Sequence, residues 1–383
     1  MEKKDSLPAM EVKHAHIELA EAQRVQKTLL APGPCPHRFY GAKANYEVYG
    51  HVTKGPEFEY YEALLALTNL KGRAKRRRKA EFMAAAEIYT KRMYQIWVEV
   101  CGLRTFKDQD GVFQGWGPPG DFMMMRVIDY ARKLEKKHGR IIIQHDCKRG
   151  DLGATMIGYY DRFIGSLKKT LGIDHSYLKY DTMNIQIYMG KDVAMLDEVN
   201  NKKNFVPAQG LILMREKGKG VIFVDVTSND TGPDYQEKFI PERGKTLQEC
   251  IAEDVGSWVT QYGLVYDELS PAGLVTGCTR RSTGIIRALC PYGTFWDPGF
   301  GNQGGKYANV MLDLIRTGKW NGQGAIFINE TAMMYCWMEK FGGTGKVADV
   351  EKCALAAVNK HRQEEYEAYQ APEVKAAGIR YPF

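Results

Sequence analysis

The stretch IIIQHDCKRGDLGAT, residues 141–155, places a compact charged cluster directly after an apolar run. Three consecutive isoleucines are typical of a buried strand, so the charged residues are predicted to lie at its end. Asp146 and Lys148 are two positions apart, which points their side chains to the same side of a strand, and Asp151 can fold back toward them after a glycine turn. Each carboxylate stabilises the charged form of the ammonium beside it. The cluster predicts either an active site or an ion-pair network at the rim of a barrel.

Short apolar runs and amphipathic segments alternate from about residue 100 onward, which is the pattern of repeated β/α units. The runs are continuous rather than alternating, as expected for parallel strands buried on both faces. An eight-stranded barrel needs one strand more than the seven found, and the stretch 58–70 could supply it but fits a helix equally well. The predicted strands are 102–106, 139–146, 181–188, 219–228, 272–277, 293–297 and 324–329, and the main predicted helices are 121–137, 152–171, 246–262, 304–317 and 347–369.

The composition predicts a soluble globular protein. The chain has 383 residues, 44% of them hydrophobic and 26% charged, and no run of eighteen apolar residues occurs. The N-terminus mixes acids and bases without an apolar core, which disfavours secretion. Eight cysteines are scattered without a CxxC pair, so a disulfide framework or zinc site is not expected. We therefore predict a reducing compartment, the cytoplasm.

The division of the chain is predicted from where these patterns begin and end. Residues 1–80 carry no motif and are expected to form an N-terminal extension packed on a barrel spanning 81–350, with a C-terminal helix and tail at 351–383. The formal net charge is +7, and the densest basic run is 72–79. A solvated helix face explains this run most simply, and a nucleic-acid or other anionic surface is the alternative.

Two further clusters follow predicted strands. Lys107 directly follows the predicted strand 102–106. It can therefore reach the same end of the barrel as Asp146 and Lys148 if this strand neighbours the predicted strand 139–146. Ser228 stands among small polar residues at the end of another strand. Because barrel enzymes build their active sites at the carboxyl ends of the strands, these positions favour a functional interpretation.

The glycine-rich stretch DPGFGNQGGK, residues 297–306, contains a GxGxxG pattern. A dinucleotide-binding fingerprint normally opens the first β/α unit, whereas this one comes near the end of the chain. Many barrels instead bind phosphate in the loops after strands seven and eight, using glycine amides and a helix N-terminus. The position of the stretch favours a phosphate loop.

Together these clusters resemble orotidine 5′-phosphate decarboxylase, specifically its longer bacterial type. HDCKRGDLGAT (145–155) is similar to that family's DAKRGDIGxT block, and Lys107 falls at its upstream lysine. The similarity covers roughly residues 85–350, with the motifs in the family's order. The other matching stretches are DTMNIQIYMG (181–190), TSNDTGPDYQ (227–236), GLVTGCT (273–279) and PGFGNQGG (298–305).

The resemblance implies a (β/α)8 barrel, usually dimeric, that converts orotidine 5′-phosphate to UMP without cofactor or metal. It implies a catalytic tetrad of Lys107, Asp146, Lys148 and Asp151, the last reaching into the partner subunit's site. Decarboxylation leaves a carbanion with no adjacent π system, so charge must be preorganised to stabilise it. The implied substrate-binding residues are Thr155 with Asp151 for ribose, Ser228 for the pyrimidine, and Gln236, Gln303, Gly304 and Gly305 for the phosphate.

The sequence departs from the family at residues that are expected to bind the substrate. The family's last strand ends in a turn whose arginine clamps the phosphate, but Ala332 stands there, and Glu330 nearby is expected to repel a dianion. The first-strand GLDP motif is absent, and Asn184 replaces a threonine. Lys306 or an upstream arginine could replace the clamp. The alternatives are a related barrel acting on another ligand and a catalytically silent barrel that serves as a structural subunit.

Overall fold

Eight parallel strands form one nearly closed barrel sheet. The computed structural model describes residues 12–36, 53–67, 71–200, 205–338 and 347–383. Neighbouring strands pair in chain order, and the first strand pairs with the last. The strands are β1 Leu30–Pro32, β2 Thr105–Gln109, β3 Ile142–Arg149, β4 Thr182–Gln186, β5 Gly220–Val226, β6 Ser270–Thr276, β7 Gly293–Pro298 and β8 Ala325–Asn329.

Side chains complete the barrel between β1 and β2, where the described residues form no ladder. Gln26 donates from Nε2 to the Thr105 hydroxyl at 2.9 Å, and that hydroxyl donates to the Leu30 carbonyl at 3.0 Å. Gln26 Oε1 accepts from the Thr105 backbone N–H at 3.2 Å. These bonds satisfy backbone groups that a short β1 leaves unpaired.

The (β/α)8 barrel predicted from the sequence is confirmed, and all seven predicted strands are present. The stretch 58–70 does not supply the eighth strand. Residues 56–66 form a helix, and the missing strand is β1, at Leu30–Pro32. The barrel therefore begins inside the segment predicted to be an N-terminal extension.

Helices surround the sheet and cover its outer face. The 72–79 basic run lies almost entirely in the first two turns of α3, and most of its side chains are exposed. The helices are α1 Ala15–Gln26, α2 Pro56–Ala66, α3 Arg73–Gln95, α4 Asp110–Gln114, α5 Pro118–His138, α6 Gly153–Phe163, α7 Lys168–Leu171, α8 Gln209–Glu216, α9 Pro233–Gln236, α10 Leu247–Gln261, α11 Ile285–Leu289, α12 Thr331–Met334, α13 Val350–Tyr369 and α14 Pro372–Ala376. Two short antiparallel ribbons, Val199–Asn200 with Phe205–Val206 and Phe239–Ile240 with Lys245–Thr246, stand outside the barrel sheet.

Helix α1 closes the amino end of the barrel. Its Leu19 and Ala22 side chains join the apolar cluster inside the barrel, beside Ile222 and Trp296. Gln23 donates from Nε2 to the carbonyl of Ala325, the first residue of β8, at 2.7 Å. Because side chains fill the amino end of the barrel, the open cavity lies at the carboxyl ends of the strands.

Local signals explain where the helix predictions succeeded and failed. Helix α10 begins at a capping box, in which Thr246 and Glu249 satisfy each other's backbone N–H groups. The helix predicted at 304–317 is wrong, because this segment contains only the short 3-10 turns Tyr307–Asn309 and Met311–Asp313. The glycine loop before it is therefore not followed by a helix N-terminus.

Two features of the described residues bear on the class of protein. No helix among them is long and apolar enough to cross a membrane. All eight cysteines lie in the described part of the chain, where each is a buried free thiol. The cytoplasmic compartment stays a prediction.

Candidate active site

A cavity of about 480 Å³ opens at the carboxyl ends of the strands, where barrels place their active sites. Lys107, Asp146 and Lys148 line one end of it, and the glycine loop after β7 lines the other. Ser228 and Gln303 also line this cavity. The structure thus brings together five of the residues predicted from the sequence.

Lys107 lies within β2 and is almost completely buried, with its side chain 2% exposed. Its ammonium is 2.7 Å from Asp146 Oδ2 and 2.7 Å from Glu330 Oε1. Burial alone would lower the pKa of this lysine, but the two carboxylates outweigh burial and raise it above its usual range. Lys107 is therefore a permanent positive charge at neutral pH.

Asp146, in β3, is the centre of the cluster. One oxygen pairs with Lys107, and the other pairs with Lys148 and accepts a hydrogen bond from Asn184 Nδ2 at 2.7 Å. Burial acts to raise the pKa of this carboxyl, but the two ammonium groups hold it well below its usual range. Asp146 is consequently ionised throughout the neutral range although only 8% of its side chain is exposed.

Lys148 lies on a bulge that turns it toward the cavity. The β3–β4 register shifts between His145 and Arg149, and Lys148 has a left-handed backbone with φ 46°. Asn184 Oδ1 accepts from the Cys147 and Lys148 backbone N–H groups, both at 2.8 Å, in place of ladder bonds. The Lys148 side chain is 41% exposed, so it is the ammonium of the pair that is open to the cavity.

Asn184 is a site residue that is apparent in the sequence only as a departure from the family. Its amide binds the Asp146 carboxylate on one side and the Lys148 backbone on the other. The available signal was a polar residue in the middle of an apolar strand. Such a residue is costly to bury unless both of its polar atoms are bonded.

Glu330 is the other addition to the cluster. It follows β8 and pairs with Lys107, so its charge is already matched by an ammonium. The expected repulsion between Glu330 and a phosphate dianion stays a prediction, because the structure shows only that this carboxylate pairs with Lys107. Burial of this carboxyl is the main cause of its raised pKa.

Asp151 and Thr155 do not join the cluster within this chain. Asp151 lies on the loop after β3, where its Oδ1 accepts the Leu152 backbone N–H at 2.8 Å. Thr155 is exposed on the first turn of α6. Neither residue lines the cavity.

The predicted phosphate contacts are placed unevenly. Gln236 does not line the cavity; its side chain is bonded to Thr227 and accepts from Arg280 Nη2 at 2.7 Å. The Gly304 and Gly305 N–H groups donate within their own loop, to the Gly301 and Gly299 carbonyls at 3.1 and 3.0 Å. These two amides are therefore not turned toward the cavity in this conformation.

Lys306 lies on the far side of the glycine loop. It lines a second cavity of about 490 Å³, together with Lys360, His361 and Ala332. The cations that line the main cavity, within the described residues, are Lys107 and Lys148, and both pair with Asp146. The expected replacement of the missing arginine by Lys306 is therefore not seen in this arrangement.

No group of three or more His, Cys, Asp or Glu side chains in the described ranges is arranged to hold a metal ion. The glycine loop is also unlike a dinucleotide-binding turn, because it follows the seventh strand and leads into 3-10 turns. The groups that this site presents include the alternating ammonium and carboxylate groups of Lys107, Asp146 and Lys148.

The fold and site define a (β/α)8 barrel protein with a charged cluster where strands β2 and β3 end. No model of a protein family matches the chain. It is 28% identical over 245 residues to the orotidine 5′-phosphate decarboxylase of Rhodopirellula baltica, covering 63% of this chain and 72% of that protein. It is 25% identical over 205 residues to the enzyme of the same name from Caldicellulosiruptor bescii, covering 53% of this chain and 60% of that protein.

A solved structure supports the fold. The orotidine 5′-monophosphate decarboxylase of Plasmodium berghei superposes with a TM-score of 0.60 at 16% identity, over 93% of this chain and 99% of that one. The resemblance seen in the sequence is confirmed: the chain is similar to proteins named orotidine 5′-phosphate decarboxylase, which are carboxy-lyases.

Proposed function

We propose that this protein decarboxylates orotidine 5′-phosphate to UMP, a step of pyrimidine nucleotide biosynthesis, without cofactor or metal. The observation that carries the proposal is the alternation Lys107, Asp146, Lys148 at one end of a ligand-sized cavity. The names of the relatives support a decarboxylase function. The cluster keeps opposite charges fixed in a partly buried site, where electrostatic effects are strongest.

Asp146 acts on the substrate carboxylate. Because two ammonium groups keep Asp146 ionised, it cannot avoid repulsion from a carboxylate placed beside it by taking up a proton. This repulsion is relieved when the carboxylate leaves as CO2. Binding of the remote parts of the substrate supplies the energy that brings the two negative groups together.

Lys148 acts on the carbanion. The bond between the ring carbon and the carboxylate breaks, CO2 leaves, and the electron pair stays on the ring carbon. Lys148, the exposed ammonium of the pair, donates its proton there and is reprotonated from solvent. Lys107 is buried behind Asp146 and keeps that carboxylate charged and in place.

The other end of the cavity binds the nucleotide. Ser228 and Gln303 line it, and we assign them to the pyrimidine edge and the phosphate. Gln236 reaches the phosphate when the loop after β5 closes, and the Gly304–Gly305 turn changes its hydrogen bonds at the same time. Loop closure driven by the phosphate is a common way to complete such sites.

The functional unit is a homodimer in which Asp151 and Thr155 enter the neighbouring site. Apolar side chains are exposed next to Asp151 at Leu152, after β4 at Tyr188, and in a short ribbon at Phe205. Leu152 and Val199 line a cavity of about 260 Å³ in the same region. A second copy would cover these apolar groups and bring Asp151 to the exposed side of Lys148.

Mixing two inactive chains tests the shared site. Asp151→Ala and Lys148→Ala chains, exchanged in one solution, should form some dimers with one complete site and recover activity. Exchange is verified by a mass tag on one chain. Verified exchange without any activity would show that each site is built from a single chain.

The direct test of the function is turnover of orotidine 5′-phosphate, followed by ultraviolet absorbance. Product is identified as UMP by chromatography. The proposal expects turnover that disappears in Lys148→Ala. Absence of turnover by the folded wild-type chain would exclude it.

A second candidate is decarboxylation of a related carboxylate that lacks a phosphate dianion. It is favoured by one observation, the pairing of both cavity-lining lysines with Asp146. Comparison of orotidine with orotidine 5′-phosphate separates the two functions. Higher kcat/KM for orotidine would favour the second.

A further inference from the structure

Glu330 extends the alternation of charges by one member within a single chain. The order of contacts is Lys148, Asp146, Lys107, Glu330, and Lys107 is 2.7 Å from each of its two carboxylates. The carboxylates come from opposite directions, because Asp146 lies on β3 and Glu330 follows β8. The Lys107 ammonium is thus held between two strands that do not neighbour each other.

The end of β1 explains how Glu330 reaches across to β2. Gly33 follows β1, and a Cβ atom there would lie 1.7 Å from the Lys107 carbonyl oxygen and 3.4 Å from Glu330 Oε1. No side chain fits at this position without moving the β2 backbone. The first strand therefore has no room for an acid at residue 33, and the carboxylate from β8 occupies the adjacent space.

We propose that Glu330 is a positioning residue of the decarboxylation site, which fixes the Lys107 ammonium so that Lys107 in turn holds Asp146 against the substrate carboxylate. This inference rests on the proposed function. It also explains how a chain without an acid after the first strand keeps its buried lysine in place. Glu330 contacts no reacting atom in this assignment and acts through Lys107.

Ionisation of the buried Glu330 carboxyl destabilises the folded chain. Burial raises the pKa of Glu330, although Lys107 acts in the opposite direction. A carboxyl whose pKa is higher in the folded than in the unfolded chain destabilises the fold as pH rises through the interval between the two values. A group retained against its effect on stability is more readily explained by function. The titratable and charged groups that act on Glu330 are Lys107, Lys148, Asp146, Asp108 and Cys35.

Kinetics of Glu330→Gln test the positioning role. We expect kcat to fall about 10- to 100-fold at pH 8 with a small change in KM, because a misplaced charge costs rate more than binding. The loss should be smaller at pH 5, because more of the wild-type carboxyl, whose pKa is raised, is protonated there than at pH 8 and resembles glutamine. Glu351→Gln is the matched control, because Glu351 pairs with Arg92 on the surface. A loss equal at both pH values, or no loss, overturns the proposal.

Thermal unfolding separates this inference from the proposed function. Glu330→Gln should keep or raise the Tm at pH 8, and a large fall would mean that the carboxylate is structural, which overturns the proposal. The Tm changes of Lys107→Gln and Glu330→Gln should also be non-additive, since the two groups are paired. Additive changes overturn the pairing. The Tm changes could be non-additive although the wild-type chain does not turn over orotidine 5′-phosphate. In that case the pairing of Glu330 with Lys107 is right, the proposed function is wrong, and the catalytic role of Glu330 is overturned.

Discussion

The two ends of the main cavity are built in different ways. At the charged end, Lys107 and Asp146 lie on strands, and Asn184 fixes both Asp146 and the Lys148 bulge from the next strand. At the glycine-loop end, Gln303 and its neighbours lie on a loop whose Gly304 and Gly305 amides bond internally. Groups on strands are held more precisely than groups on loops. The charged end is therefore preorganised, whereas the amides of the loop end would have to rearrange to bind a phosphate.

The largest expected effect is at the charged end. Lys148→Ala removes the proposed proton donor and a counter-charge of Asp146, so kcat should fall by about 10²-fold or more while the fold is kept. Turnover of orotidine 5′-phosphate and circular dichroism check the two parts. Lys319→Ala is the control, because Lys319 is also a half-exposed lysine paired with an aspartate, at the amino end of the barrel. Near wild-type rates in Lys148→Ala would refute the assignment of the charged end.

Asn184 tests whether strand-based positioning matters as much as the charges. Asn184→Ala leaves the Cys147 and Lys148 N–H groups without their acceptor, and a buried unpaired group costs about 1–3 kcal/mol. We expect kcat to fall about 10- to 100-fold and the Tm to fall as well. Thr182→Val, on the same strand and the same side, should leave kcat within about twofold and is the control. An unchanged kcat in Asn184→Ala would mean that the Lys148 bulge keeps its conformation without the hydrogen bonds to Asn184.

The fold was predictable where hydrophobic runs are long enough to identify a strand. Seven strands follow from such runs, but β1 has only three residues and is a strand because it pairs with β8, about 295 residues later in the chain. The predicted helix at 304–317 failed for a related reason. Its amphipathic pattern fits a helix, yet Ser282 and Arg287 bond to Asp313 and fix tight turns there.

The site was predictable where charged residues directly end or follow a strand. Lys107, Asp146 and Lys148 meet because β2 and β3 are neighbours, as the order of the chain suggested. The pairing of Glu330 with Lys107 could not be predicted, because it depends on β1 being short and being followed by Gly33. The partners of Asp151 lie outside a single chain if the proposed dimer is right, so its role stays a prediction.

A smaller effect is expected from the glycine loop. Gly304 has φ 77°, and a Cβ there would meet no atom within 4 Å, so Gly304→Val should act through backbone conformation alone. We expect UMP to bind about tenfold more weakly and uridine to bind almost unchanged, since a backbone substitution at a left-handed position costs about 1–2 kcal/mol. Titration calorimetry measures both, with Gly139→Val as a control at a glycine of similar φ, also in open space, at the end of α5. Equal losses for UMP and uridine would contradict the phosphate-loop assignment.

The smallest expected effect is a gain, and it tests whether the loop end lacks positive charge. Ala332 lines the main cavity together with Glu330 and also borders the second cavity behind the glycine loop, so a longer side chain there has room on either side. Ala332→Arg should tighten UMP binding about 3- to 10-fold at low salt, and salt should reduce the gain because an ion pair near solvent is screened. Uridine should bind as before, and Ala332→Gln, which adds length without charge, should give no gain.

Outcomes of this substitution sharpen the comparison between the two ends. A gain for UMP that disappears at high salt would mean that the wild-type loop end holds phosphate with neutral groups alone. No gain in a folded Ala332→Arg chain would mean that another group already supplies the charge, or that phosphate binds elsewhere. An equal gain for uridine would place the new side chain on the nucleoside, and the glycine loop would then lose its assigned ligand.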